Sequence, residues 1–101
     1  MSKKEETKFR AKLRILLELI PNSWWESVQQ KSIKGTPDIL GCVRGIFVGL
    51  ELKRDAGSLH PLQEYKLMQI HKAGGHAYIV TPKNHKEILE RIKCLGLNDI
   101  S

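Results

Sequence analysis

A chain of 101 residues that is 41% apolar can bury one core and is too short for two domains. No apolar run approaches the ~20 residues needed to cross a bilayer, and the charged start at Met1 to Thr7 lacks the apolar segment of a secretory leader, so a cytoplasmic location is expected. Seventeen Lys and Arg against 11 Asp and Glu leave a net charge of +6, which favours a polyanionic partner, nucleic acid first.

The first periodic segment is a helix. Phe9, Leu13, Leu16 and Ile20 recur at helical spacing from about Lys3 to Ile20, with Lys12, Arg14 and Glu18 off that stripe. Pro21-Asn22 ends it. Residues 23–29 read as a strand, and 31–35, rich in Lys, Ser and Gly, as a loop. The apolar stretch from Ile39 to Leu50 reads as two strands around a turn at Arg44-Gly45. In the second of them Ile46, Val48, Leu50 and Leu52 share the expected core face, and Phe47, Gly49, Glu51 and Lys53 share the other. After a loop over 55–60, Pro61 suits the first turn of a helix, with Ser58 or His60 near its cap. Leu62, Tyr65, Met68 and Gln69 are expected to mark its buried side, and Gly74-Gly75 stops it. His76 to Val80 is a fourth strand. Asn84 and Glu87 form a capping-box-like start to a last helix carrying Ile88, Ile92 and Leu95. The order αβββαβα predicts an α/β or α+β arrangement, a small mixed sheet flanked by helices, with the fourth strand able to lie parallel to a neighbour.

Charged residues interrupt this pattern at one place. If the turn has two residues, Val43 pairs with Ile46 and, counting outward, Asp38 pairs with Glu51. Such partners have Cβ atoms about 4.5–5.5 Å apart, and Lys53 falls on the same face. Two facing carboxylates repel, and a divalent cation between them removes the conflict. Removing either one is then expected to leave the metal-free fold as stable as before, or more so. Taken singly, Asp38 can cap a turn and Lys53 can merely pair with Glu51. A carboxylate inside an apolar strand is harder to dismiss, because burying it unpaired is costly. Glu5 and Glu6 either complement the dipole of the first helix or, on the inward side with Phe9 and Leu13, reach toward the same place. Gln63 lies in the first turn of the middle helix, where it can reach a phosphate or remain a surface amide. His60, His71, His76 and His85 show no ligand spacing. Cys42 and Cys94 read as buried thiols, with no CxxC motif. One of Trp24 and Trp25 belongs to the core and the other is available to stack on bases.

Pro37-Asp38 followed by Glu51-Leu52-Lys53 resembles the PD-(D/E)xK nuclease superfamily. Gly35-Thr36-Pro37-Asp38, Glu51-Leu52-Lys53 and Leu59-His60-Pro61-Leu62-Gln63, in this order and in so short a chain, resemble its stand-alone VRR-NUC nucleases of phages and bacteria. The likeness covers roughly Glu6 to Val80. It implies a restriction-endonuclease-like αβββαβ core, a first-helix glutamate best matched by Glu6, and a supporting role for Gln63. It also implies kinship with Holliday-junction resolvases, a homodimer, and a bacterial or phage-infected cytoplasm. On this reading Mg²⁺ or Mn²⁺ is held by Asp38, Glu51, the Leu52 carbonyl and, directly or through water, Glu6. The ion lowers the pKa of a water, orients the phosphate and offsets its charge. Lys53 positions or deprotonates the attacking water, or stabilises the transition state. Lys31, Lys34, Lys53, Arg54, Lys66 and Lys72 are candidates for the phosphate track.

The expected activity is that of a metal-dependent DNA endonuclease on branched substrates, with four-way junctions the favourite. The alternatives are a less selective nuclease or nickase on single strands or flaps, and an inactive DNA-binding module. Symmetric cutting of a junction needs two sites and therefore two chains. Leu17, Leu19 and Trp24 or Trp25 are candidate interface groups.

Overall fold

The computed structural model describes residues 2–29, 35–54 and 59–97. Its elements are α1 (Lys3–Glu18), β1 (Ser23–Ser27), β2 (Ile39–Val43), β3 (Ile46–Leu52), α2 (Pro61–Lys72), β4 (His76–Val80) and α3 (His85–Lys93). The four strands form one open sheet in the order β1-β2-β3-β4. β1 and β2 pair antiparallel, as do β2 and β3, whereas β4 lies parallel to β3 across the α2 crossover. The β2–β3 turn pairs Val43 with Ile46, and both its central residues, Arg44 and Gly45, have positive φ, as the twist of a two-residue hairpin demands. The described residues thus form a small mixed α/β arrangement with three helices. No helix among the described residues is long and apolar enough to cross a membrane.

α1 and α3 cover one face of the sheet. Phe9, Leu13, Leu17 and Ile20 from the α1 side meet Trp25, Ile39, Val43, Val48, Leu50, Leu52 and Val80 from the strands and Leu89 and Ile92 from α3. The spacing at 9, 13, 17 and 20 tracks the helical period, so Leu17 is fully buried and Leu16 only partly so. Leu17 and Trp25 are therefore core residues and unavailable as interface groups, while Leu19 and Trp24 stand exposed. Arg14 fastens α1 to β1, donating to the Ser27 hydroxyl at 2.6 Å and to the Trp25 carbonyl at 3.3 Å.

α2 covers the other face, over β3 and β4. Its phase differs from the expected one. Leu67 is buried and Gln63 and Ile70 partly so, whereas Leu62, Tyr65 and Met68 are exposed. The reason is Gly49. A Cβ there would lie 2.8 Å from Ile70 Cδ1, so the bare strand surface draws in Ile70 and turns the Leu62–Tyr65 side outward. α3 also begins otherwise than expected. The Asn84 side chain caps no helical N–H; its Oδ1 accepts from the Thr81 N–H at 2.7 Å and its Nδ2 donates to the Ile79 carbonyl at 2.9 Å. Both cysteines are free, and Cys94 is exposed rather than buried.

Candidate active site

All three helices begin at the same end of the sheet. α1 runs back along β1, α2 leaves from the end of β3, and α3 leaves from the end of β4. That end also holds the N-terminus of β2, and here the acids gather. Asp38 precedes β2 by one residue and stands in line with Glu51, one step beyond the last pair, Ile39 with Leu50. Both carboxylates are buried.

Each carboxylate has its own partners. Asp38 Oδ2 accepts the Leu52 N–H at 2.8 Å, standing in for the ladder carbonyl that β2 no longer supplies. The Asp38 carbonyl accepts the Val28 N–H at 2.9 Å, tying the acid to the end of β1. Its Oδ1 lies 3.5 Å from Arg10, and Arg10 lies 3.5 Å from Glu6. Glu51 Oε2 accepts from Gln63 Nε2 at 2.8 Å and lies 3.8 Å from Lys53 Nζ. Gln63 Oε1 in turn accepts the His60 N–H at 3.0 Å. The two bonds of Gln63 agree on one orientation of its amide: reversed, an NH₂ would face an N–H and a carbonyl oxygen would face a carboxylate. The backbone N–H of Lys53 donates to the Val80 carbonyl at 3.0 Å, so the lysine is anchored where β3 and β4 end together.

These contacts set attraction against the repulsion between the two acids. Arg10 offsets the charge of Asp38, and Lys53 that of Glu51. Asp38 is also an acceptor that the fold uses. Gly35 supports the arrangement from the loop before it. It has φ +87°, and a Cβ there would fall 2.8 Å from the Leu62 carbonyl oxygen, so only glycine lets the approach to Pro37-Asp38 pack on the first turn of α2.

Glu5 and Glu6 separate. Glu5 forms a capping box with Ser2, and the hydrogen bonds from the Ser2 side chain and backbone hold its carboxyl below the usual range. Glu6 turns toward the site through Arg10. Arg10 is the site residue that the sequence pattern did not single out, although its position four residues past Glu6 on a helix was a usable signal. No family model, curated protein or solved structure matches the chain.

The oxygen donors fit a hard divalent cation. Mg²⁺ characteristically takes one or two carboxylates, keeps several waters and completes its shell with a substrate phosphate. Asp38, Glu51 and the carbonyl at the end of β3, that of Leu52, are such a set. Among the described residues no group of three or more His, Cys, Asp or Glu gathers to form a metal cage, so waters and phosphate would have to supply the remaining ligands. The histidines lie elsewhere in role: His60 caps α2, accepting the Leu62 N–H at 3.1 Å, His71 bonds the Ala77 carbonyl, and His85 is buried edge-on to Phe9.

The basic candidates scatter. Lys53 is at the acids and Arg54 is exposed beside it. Lys66 lines an apolar groove with Thr36, Pro37, Leu40, Phe47 and Tyr65. Lys72 ends α2, roughly 13 Å along the helix from Gln63 at 1.5 Å per residue, and so away from the acids. Lys31 and Lys34 lie outside the described residues.

Proposed function

We propose that this chain is a Mg²⁺- or Mn²⁺-dependent endodeoxyribonuclease of the PD-(D/E)xK superfamily, with a restriction-endonuclease-like core and of the stand-alone VRR-NUC kind. The observation that carries the reading is the meeting of Asp38, Glu51 and Lys53 at one sheet end, with Gln63 bonded to Glu51. The N-terminus of α2, whose first turn carries Gln63, brings its positive dipole end to Glu51, which favours a phosphate there.

Asp38, Glu51 and the Leu52 carbonyl are the residues to hold the ion, with Glu6 reaching it directly or through water. Bound, the ion supplies Lewis acidity, orients the scissile phosphate and makes a water more acidic. Gln63 fixes the rotation of the Glu51 carboxylate, because its own far end is tied to α2. Lys53 brings an ammonium beside the phosphate, to position the attacking water or to offset the charge that builds as the P–O bond breaks. Lys31, Lys34, Arg54 and Lys66 attract flanking phosphates, and Lys72 serves only a duplex that runs the length of α2.

The favoured substrate is branched DNA, the four-way junction first, and the favoured assembly is a homodimer that brings two sites to two strands. The sheet face left open beside α2 suits a second copy. Trp24, Leu40, Cys42 and Phe47 line it with Glu26 on its rim, and Leu40 and Phe47 continue into the groove that holds Lys66. The exposed rings of Trp24, Phe47 and Tyr65 also support a second reading, a less selective nuclease on single strands or flaps, because such rings stack on unpaired bases.

A cleavage panel of four-way junction, flap, single strand and linear duplex, in Mg²⁺, in Mn²⁺ and in chelator, decides between them. Preferential, metal-dependent cutting of the junction is expected, and its loss in Glu51→Gln by more than about a thousandfold, the scale of several kcal/mol at 1.4 kcal/mol per tenfold. Preferential cutting of the flap or single strand selects the second reading. No cleavage of any substrate in either metal overturns the proposal.

A further inference from the structure

The side of the molecule away from α2 carries a row of cations that the proposed chemistry does not use. Lys4, Lys8 and Lys12 follow one another at i, i+4 and i+8 along α1 and are all exposed. Like charges so spaced weaken a helix, and at 1.5 Å per residue they sit about 6 Å apart along its axis. Lys12 and Leu16 from α1 line one groove with His85, Lys86, Leu89, Glu90 and Lys93 from α3. The groove therefore has an apolar floor, Leu16 and Leu89, under a rim of lysines whose aliphatic stems can cover it while the ammonium groups stay in water.

The nearby acids are already engaged. Glu87 pairs with Arg91 at 2.9 Å and Glu90 with Lys93 at 3.3 Å. Glu5 closes the capping box of α1. Glu6 and Glu18 lie on the opposite flank of α1 with Arg10 and Arg14. Among the described residues, Lys8, Lys12 and Lys86 have no carboxylate within 4.0 Å. A helix–helix groove that gathers Lys12, Lys86 and Lys93 against the one carboxylate of Glu90 is poorly explained by stability. A polyanion explains it.

The groove has a position as well as a charge. α3 begins at the sheet end that holds Asp38 and Glu51, and on α1 Arg10, which reaches Asp38, lies between Lys8 and Lys12, so Lys8, Lys12 and Lys86 flank that end of the molecule on the layer opposite α2. Resting on the nuclease reading, we propose that the α1–α3 groove is a second phosphate-backbone contact, made by Lys8, Lys12 and Lys86 with one arm of duplex DNA leaving the site. Ammonium groups on flexible stems meet phosphates as point charges without selecting a base, so the contact serves any sequence.

The test is equilibrium binding of a fluorescent linear duplex to the full chain in chelator, where no cleavage competes, between about 50 and 200 mM salt. Each phosphate that a variant no longer neutralises lowers the slope of log K against log salt by about 0.9. The triple variant Lys8→Gln, Lys12→Gln, Lys86→Gln is expected to give a slope smaller by between about 2 and 3, and Lys72→Gln to change it little. The triple variant should also melt no lower than the parent, since the like-charge row is relieved. An unchanged slope in a folded triple variant overturns the groove and leaves the nuclease reading standing. Failure of the parent chain to bind duplex overturns the groove as well, while the nuclease reading stands or falls on the cleavage panel.

Discussion

The two faces of the sheet are built to different ends. On the α1–α3 side, Leu13, Leu17, Leu50, Val48 and Ile92 are buried to within a few per cent, and side chains from two helices and four strands fill one core. On the α2 side the helix buries Leu67, leans Ile70 on a glycine, and gives its other contact to a glutamine holding a glutamate. The first face supplies the hydrophobic stabilisation and the second holds the buried carboxylates and the groups that pair with them. Buried carboxylates are tolerable on the second because the first is well enough packed to offset their desolvation.

That contrast predicts a graded series. Leu50→Ala leaves a cavity in the packed face and should cost about 2–5 kcal/mol, read as a lowered denaturant midpoint, while whatever protein stays folded keeps its metal-dependent cleavage. Asp38→Ala should cost less, about 1–3 kcal/mol, because it strands the buried Leu52 N–H. This reverses the expectation drawn from carboxylate repulsion alone. Asp38→Asn keeps an acceptor for that N–H and should recover much of the loss while remaining inactive. An alanine variant as stable as the parent would mean that repulsion outweighs the hydrogen bond. Trp24→Glu, on the open face beside α2, should change monomer stability by no more than about 0.5 kcal/mol, the range of surface substitutions. Light scattering at micromolar concentration should show the parent as a dimer and this variant as a monomer. A monomeric parent would remove the symmetric-cutting argument and favour the single-strand reading of the exposed rings.

The packed face is also the legible one. The α1 stripe, the alternation of β3 and the register of the Arg44-Gly45 turn follow from periods of 3.6 and 2 and from turn chemistry, all of them local. Where sequence and structure part, the cause is shared. Leu62, Tyr65 and Met68 look like a buried stripe, yet the phase of α2 is set by Gly49, which has no side chain to announce the contact, and by the long-range bond from Gln63 to Glu51. Leu17 falls outside the expected core only through a one-residue choice of stripe. At the site, the pairing of Asp38 with Glu51 can be counted from the turn, and Lys53 with it. Arg10 cannot be found by counting along the hairpin, since its approach to Asp38 depends on how α1 crosses the sheet end. Cys94 shows the limit of reading burial from neighbours: its apolar surroundings in sequence lie around the helix, and the thiol itself faces out.

The central claim is that Asp38 and Glu51 hold a divalent cation while Lys53 acts on the substrate. Mn²⁺ binding by calorimetry to the parent, Glu51→Gln and Lys53→Ala tests it most directly, with turnover measured on the same preparations. The account predicts that the parent and Lys53→Ala bind Mn²⁺ alike, that Glu51→Gln does not bind it, and that Lys53→Ala still loses about a hundredfold in turnover, the usual scale for positioned proton transfer or charge stabilisation. Mn²⁺ binding that survives in folded Glu51→Gln, or is lost in folded Lys53→Ala, would contradict it.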